Sequence, residues 1–237
     1  MNQSQLKPAS LLAQRYGVKA ILYGPPGLGK TPAINTAPRP VLLATEPGLL
    51  SMRGSNVPTW DAFTRPRIEE FFKWLFESKE ASNFDTVAID SGSQMAEISL
   101  MHWDNTCKDG RKAYGEMSKE CMQWFDGMFF MPNKHIVLIC KQMQVEVGKV
   151  AKNVGGAIVV ESTYQAQPFF PGKDLNVKVP HRYDEILHLC KADIPGHGVQ
   201  RAIRCAGNDY ALARDRSGRL SELEPVDLAA LFTKAMA

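Results

Sequence analysis

The chain has 237 residues, of which 44% are hydrophobic and 22% are charged, and its formal net charge is +3. This is ordinary globular composition, long enough for one large domain, and so small a positive excess does not by itself indicate a nucleic-acid partner. The sequence has no secretory signal and no apolar run near the roughly 18 residues of a membrane-spanning helix. Its five cysteines include no C-x-x-C pair, so we expect reduced thiols in a cytoplasmic protein and no membrane partner.

Apolar runs alternate with helical patterns through the first 142 residues. The runs that predict buried strands are 19–24, 40–48, 84–91 and 135–142. Apolar residues at helical spacing predict amphipathic helices over 66–80 and 117–130. Fully apolar strands that alternate with helices indicate an α/β fold, with a mostly parallel sheet sandwiched between helices.

The alternation of apolar runs and helical patterns ends at residue 142. Residues 143–182 are rich in glycine and proline, which predicts a long loop region. Strands are predicted over 183–190, 199–205 and 209–215, with the last two forming a C-terminal β-hairpin around residues 207–208. A final helix is predicted after Ser221, with Glu224 completing a capping box. We expect one domain over 1–237, of which residues 1–17 are a short N-terminal extension.

The segment after the first predicted strand has the spacing G-x-x-x-x-G-K-[ST], the Walker A motif. Its backbone N–H groups cradle phosphates, its lysine reaches the outer phosphates, and its Ser or Thr hydroxyl ligates Mg²⁺. The motif predicts a nucleoside triphosphate site with Mg²⁺; we expect ATP as the nucleotide, and the motif by itself does not distinguish ATP from GTP. The residues predicted to bind the nucleotide are Gly24, Pro25, Pro26, Gly27, Leu28, Gly29, Lys30 and Thr31.

Two acidic residues at strand ends complete the predicted site. Asp90 ends the strand FDTVAID, as in a Walker B motif, and is predicted to hold Mg²⁺ through water. The next residue is Ser91, which cannot serve as a base. Glu46 follows the second strand, and the carboxyl ends of strands in an open α/β sheet meet at one crevice. We therefore predict that Glu46 orients the attacking water.

This order of motifs resembles the RecA-like recombinase core, and most closely the short phage-type AAA-domain ATPases that include single-strand annealing proteins of bacteriophages. In that family a catalytic glutamate lies on the strand after the Walker A helix, and Ser follows the Walker B Asp. A glutamine at the end of the next strand senses the γ-phosphate. The resemblance implies a RecA-like P-loop NTPase fold, with Glu46, Lys30 and Gln142 in catalytic roles.

The resemblance also implies that the region after Gln142 contacts single-stranded DNA. Lys149 and Lys152 could contact phosphates there, and Gly155-Gly156 would permit close backbone approach. Solvated lysines on a loop or hairpin are the plainer interpretation. Arg111 and Lys112 form a second candidate DNA surface, with Trp103 or Tyr114 available to stack on a base.

Several arginines near the C-terminus could act across a subunit interface. Arg214 and Arg216 are the strongest candidates for an arginine finger supplied in trans within a homo-oligomer. A solvated strand face is the simpler interpretation for any one of these arginines.

The function expected from the sequence is an ATPase that acts on single-stranded DNA in phage-type recombination, annealing or replication. Its location would be the cytoplasm of an infected bacterium, and single-strand-binding or replication proteins are possible partners. An AAA+ ATPase that loads or remodels a protein, a small-molecule kinase, and a nucleotide-gated binding module with negligible turnover remain alternatives.

Overall fold

The computed structural model of the chain describes residues 6–13, 15–154 and 157–237, and only the backbone at 152–154, 157 and 159. Within these residues nine strands form the central sheet. Their order across the sheet is β11 (Leu223–Glu224), β9 (Gly198–Arg204), β8 (Glu185–Ile194), β1 (Lys19–Tyr23), β5 (His135–Cys140), β4 (Thr86–Asp90), β2 (Pro40–Ala44) and β3 (Thr59–Asp61), and β10 (Arg214–Asp215) is paired to β8. The strands β8, β1, β5, β4, β2 and β3 are parallel to one another. The prediction of a mostly parallel α/β sheet with antiparallel strands near the C-terminus is confirmed.

Strands β6 Gln142–Val154 and β7 Ala157–Pro168 form a separate two-stranded sheet. The helices are α1 Ala9–Ala13, α2 Lys30–Ala33, α3 Arg65–Glu77, α4 Gly92–Thr106, α5 Gly110–Phe129, α6 Lys173–Arg182 and α7 Leu228–Met236.

Side chains on the two faces of the sheet enter two separate cores. On β1, Ile21 packs in a cluster with α3, α4, α5 and α6, while Leu22 packs in a second cluster with α7. Both residues are fully buried. Because both faces are covered, the inner strands are continuously apolar rather than alternating, which is why the sequence pattern identified them.

The segment 143–182 is not the long loop that its glycine content suggests. Strands β6 and β7 pair in antiparallel register from Gln142↔Pro168 to Val154↔Ala157, and α6 follows. We call the hairpin of residues 142–168 the β-arm. Cross-strand pairing satisfies the backbone hydrogen bonds of the arm, so these strands form without the continuously apolar sequence that marks the strands of the central sheet.

The pairing predicted for the C-terminal strands is also wrong. Strand β9 forms a hairpin with β8, in the register Lys191↔Arg201, through a turn at residues 195–197. The short β10 pairs with β8 and not with β9. The last helix begins later than predicted, at Leu228, because Asp227 caps it by accepting a hydrogen bond from the N–H of Ala230.

Within the part of the chain that the structure describes, no helix is long and apolar enough to cross a membrane.

Candidate nucleotide site

The Walker A segment forms a loop between β1 and α2 at the carboxyl edge of the sheet. Gly27 and Gly29 have φ angles of 77° and 91°, a left-handed region that is inexpensive only for glycine. Lys30 begins α2, and its Nζ donates to the carbonyls of Gly24 at 2.8 Å and Pro25 at 3.0 Å. The loop therefore curls around the ammonium group, which is the shape that a phosphate cradle requires.

The structure brings Thr31 and Asp90 together, 59 residues apart in sequence. The Thr31 hydroxyl donates a hydrogen bond to the Asp90 carboxylate. Burial raises the pKa of Asp90, and the nearby Glu46 raises it further, while Thr31 and Lys30 oppose this shift. A half-buried hydroxyl and a carboxylate whose charge is costly to leave uncompensated form an oxygen donor set that suits Mg²⁺. These two residues fit the predicted metal site.

Glu46 lies beside Asp90 because β2 and β4 are adjacent, with Ala44 opposite Asp90. Its Oε1 accepts a hydrogen bond of 2.7 Å from the Ser91 hydroxyl. The side chain of Glu46 is 41% exposed, so it combines a fixed position with access to water. Thr45 ties the two strand ends together, since its Oγ1 donates to the Ser91 carbonyl at 2.9 Å and accepts from the Ser91 N–H at 2.9 Å.

Lys141 joins this cluster from the end of β5. Its Nζ lies 2.7 Å from Glu97 Oε2 and 2.9 Å from Gln94 Oε1, both on α4, and 3.9 Å from Glu46 Oε1. Lys141 was not among the site residues predicted from the sequence. The spacing of Glu97 and Gln94, three residues apart on one helix face, was the signal for its partners.

The base of the β-arm is hydrogen-bonded to the helix that follows Asp90. The Ser93 hydroxyl donates to the Phe169 carbonyl at 2.6 Å and accepts from the Lys141 N–H at 2.9 Å. The Phe169 N–H donates to the Lys141 carbonyl at 2.9 Å. Ser93 is fully buried. A single buried hydroxyl therefore connects both strands of the arm to α4, a role that the sequence did not indicate.

Gln142, the predicted sensor of the γ-phosphate, is the first residue of the β-arm and contacts His188 on β8. Its Oε1 lies 3.1 Å from His188 Nε2. Burial, followed by the charge of Arg204, lowers the pKa of His188 to about 4, so the imidazole is neutral at pH 7. The His188 ring lies 4.9 Å from that of Tyr23 at the end of β1.

The candidate DNA-contacting residues lie in two places. Lys149 is exposed on the β-arm, 4.0 Å from Glu146, and the side chain of Lys152 lies outside the described residues, as does the Gly155-Gly156 pair. Arg111 and Lys112 are exposed in the first turn of α5.

The two aromatic side chains predicted to stack on bases differ in their surroundings. Trp103 lies under the guanidinium of Arg65, and its Nε1 donates to Glu120 at 3.3 Å. It is therefore part of the packing between helices, and its role in base stacking stays a prediction that the structure does not test. Tyr114 is 47% exposed and remains a candidate.

Arg214 and Arg216 lie at the amino edge of the sheet, opposite the Walker A loop. Arg214 donates to the backbone carbonyls of Pro180 and Tyr183, which fixes it within its own chain. The side chain of Arg216 is 47% exposed and pairs with Asp184 at 2.9 Å. Of the two candidates, only Arg216 presents its charge at the surface.

The arrangement of Walker A loop, buried Asp90 and adjacent Glu46 is consistent with the family match. A family model described as "AAA domain" matches residues 16–217. The chain belongs to this family. AAA domains of this kind are P-loop NTPase domains, in agreement with the Walker A loop. No curated protein matches the sequence.

Among solved structures, the chain is similar to the KaiC-like protein PH0186 from the hyperthermophilic archaeon Pyrococcus horikoshii OT3. The sequence identity is 11%, the TM-score is 0.45, and the match covers 80% of this chain and 79% of that one.

Proposed function

We propose that this AAA-domain protein is a RecA-like ATPase that hydrolyses ATP and uses the cycle to act on single-stranded DNA in phage-type recombination, annealing or replication. Membership of the family supports nucleotide binding. The placement of Glu46 beside Asp90 supports hydrolysis. The hydrogen bonds from this site to the β-arm support a coupled activity.

Each side chain at the site has a defined task in this proposal. Lys30 exchanges the carbonyls of its own loop for phosphate oxygens, and burial, which lowers the pKa of its ammonium, makes that exchange favourable. Thr31 and Asp90 would hold Mg²⁺, which when bound neutralises phosphate charge. Glu46 accepts a hydrogen bond from the attacking water and directs it at the γ-phosphate.

The proposed coupling between hydrolysis and the β-arm is supported by a continuous chain of hydrogen bonds from Glu46 to the arm. Ser91 donates to Glu46 and accepts from the N–H of Gln94 at 3.1 Å. The side chain of Gln94 accepts from Lys141, which adjoins the first residue of the arm. A shift of Glu46 toward a bound water would therefore be transmitted through α4 to the arm.

The β-arm presents a face suited to a flexible, single-stranded ligand. Ile158, Val160 and Tyr164 are separated by even numbers of residues on β7, so they share one face, and they are 76%, 59% and 53% exposed. Lys149 lies opposite Ser162 and therefore shares this face. An exposed aromatic ring with a nearby cation is the combination by which single-stranded nucleic acid is bound without sequence preference.

A protein partner is the second candidate for the same arm. Residues 142–168 contain two lysines and two glutamates, so the arm has no net charge, and its exposed residues are mainly apolar. Such a surface also suits a nucleotide-gated contact with protein. The two candidates differ in their salt dependence, because phosphate contacts weaken steeply with salt and apolar contacts do not.

Homo-oligomerisation is part of the proposal and rests on Arg216. This exposed guanidinium lies at the edge of the sheet opposite the Walker A loop, so it could reach a nucleotide only in a neighbouring, head-to-tail subunit.

The first experiment measures ATP turnover with and without single-stranded DNA for the wild type and the Glu46→Gln variant. We expect DNA to stimulate turnover, and the variant to lose about 10²–10⁴-fold in kcat while its Kd for ATP stays within about twofold. Glu77→Gln, an exposed glutamate at the end of α3, is the matched control and should behave as the wild type.

Turnover that ignores DNA while Glu46→Gln is inactive would reject DNA as the partner and favour a protein. Turnover unaffected by Glu46→Gln would reject the assignment of the water-orienting residue.

A further inference from the structure

A second cationic element lies beside the Walker A loop, on the hairpin formed by β8 and β9. The Nη1 atom of Arg201 donates to the Leu28 carbonyl at 3.2 Å. A Cβ atom placed on Gly29 would lie 2.5 Å from the same Nη1. The guanidinium is thus in contact with the part of the loop whose backbone cradles the α- and β-phosphates.

Lys191 accompanies Arg201 on the same face of the hairpin. The two residues are directly opposite across the strands, and cross-strand partners point to the same side. Both are exposed, and within the described residues neither has an acidic group within 4.0 Å, although Asp193 lies on the same face. Like charges that face each other in this way are destabilising unless an anion lies between or beside them.

The Walker A loop itself lacks one backbone donor. Pro32 directly follows Thr31 in α2, and proline has no N–H. The backbone donors at this turn therefore end at Thr31, and the loop offers the phosphates fewer N–H groups than it would with any other residue at position 32. An arginine with five N–H donors can replace the missing one.

We propose that Lys191 and Arg201 bind the α/β-phosphate portion of the nucleotide in cis, and that Arg201 supplies the donor that Pro32 removes. This inference rests on the proposed function, since it assigns additional binding residues to the same nucleotide. Arg201 touches the loop from its own chain, so the contact needs no neighbouring subunit.

The test is equilibrium binding of a fluorescent ADP and of a non-hydrolysable ATP analogue to the full-length chain. Arg201→Gln should weaken both ligands by about tenfold, because a charge-assisted hydrogen bond to the α- or β-phosphate is common to both. Lys191→Gln should weaken both by about threefold. Arg182→Gln removes an exposed arginine that pairs with Asp126 far from the loop and should change neither affinity.

A rescue experiment addresses the role of Pro32. In the Arg201→Gln background, Pro32→Thr restores a backbone N–H and should recover about threefold of the lost affinity, with a smaller gain in the wild-type background. Equal gains in nucleotide affinity in both backgrounds would contradict the proposal that Arg201 compensates for Pro32. Melting temperatures of all variants verify that they are folded.

The outcomes separate this inference from the function on which it rests. If Lys30→Ala abolishes nucleotide binding while Arg201→Gln stays within about twofold of the wild type, the inference fails and the nucleotide site stands. If neither substitution affects binding, both fail. If Arg201→Gln weakens only the binding of a single-stranded oligonucleotide, the two cations belong to a nucleic-acid surface and the inference is overturned.

Discussion

The ammonium of Lys141 lies 3.9 Å from the carboxylate of Glu46, so the residue immediately before the β-arm lies beside the proposed water-orienting acid. Lys141 also pairs with Glu97 at 2.7 Å. Because one cation contacts two carboxylates, movement of the arm would change the charge around Glu46 without any change in the nucleotide contacts.

We expect Lys141→Met to uncouple the arm from hydrolysis. The variant should lose DNA stimulation and about three- to tenfold in kcat, while its Kd for ATP stays within about twofold, because the lysine contacts Glu46 and α4 and acts through Glu46. Lys141→Arg, which keeps the charge, should retain most of the stimulation. Turnover and nucleotide binding measured side by side check this, and a loss of ATP affinity equal to the loss of kcat would contradict it.

We expect His188 to hold the side chain of Gln142, the proposed γ-phosphate sensor, in place. His188→Leu removes the 3.1 Å partner of Gln142 and should reproduce the effect of Gln142→Ala, namely normal ATP binding with DNA stimulation reduced about fivefold or more. Hydrogen exchange of the β-arm with ATP and with ADP provides the second readout. His181→Leu, an exposed histidine on α6, is the control, and equal behaviour of the two histidine variants would exclude the role of His188.

The buried carboxyl of Glu185 should make stability fall as pH rises. Burial, reinforced by the charge of Asp215, raises the pKa of Glu185 to about 7 from 4.5, and its Oε2 has no hydrogen-bond partner within the described residues. The folded protein therefore binds more protons than the unfolded chain between these pH values. Stability from this group is fully present below about pH 4.5 and is lost as pH rises through 7.

Glu185→Gln should remove that loss and stabilise the protein by on the order of 2–3 kcal/mol at pH 8 while changing little at pH 4.5. Urea unfolding of both proteins at several pH values measures the difference directly. Burial lowers the pKa of both His135 and His188 to about 4, so these two groups make stability rise with pH up to about pH 6.5. Their contribution is the same in the wild type and in Glu185→Gln, and it cancels in the difference between the two proteins. A pH-independent difference between the two proteins would contradict the prediction.

Glu120 joins three helices, and its removal should be costly. It is 9% exposed and accepts hydrogen bonds from Arg65 at 2.6 and 2.9 Å and from Ser99 at 2.6 Å. Glu120→Ala should destabilise the fold by about 2–4 kcal/mol, because the donors are left without an acceptor. Glu69→Ala removes the exposed partner of the same arginine and should cost less than about 1 kcal/mol. Denaturant unfolding compares the two, and equal losses would refute the role assigned to burial.

The parallel part of the sheet and the nucleotide site were predictable from the sequence because their signals are local. A strand buried on both faces is apolar throughout, and the Walker A spacing fixes the loop by itself. The proximity of Glu46 to Asp90 followed from one general rule, that carboxyl ends of parallel strands meet at the same edge.

The β-arm and the C-terminal pairing depended on contacts that local sequence does not encode. Gly148 resembles a loop residue, yet cross-strand pairing makes 142–168 a hairpin. Likewise β9 pairs with β8 and with β11, and not with the predicted strand 209–215, since pairing depends on which neighbour is already fixed in the sheet.

The sequence by itself therefore determined a P-loop domain with its Walker A loop, its two acids and its parallel strands. The loop and the strands are set by residues close together in the chain, and the two acids are brought together because parallel strands end at the same edge of the sheet. Only the tertiary structure decided that Ser91, Ser93 and Lys141 connect the acids to the β-arm, and that Arg201 touches the loop at Leu28, 173 positions away in sequence. Such contacts arise from the packing of distant segments, and neither periodicity nor motif spacing carries information about them.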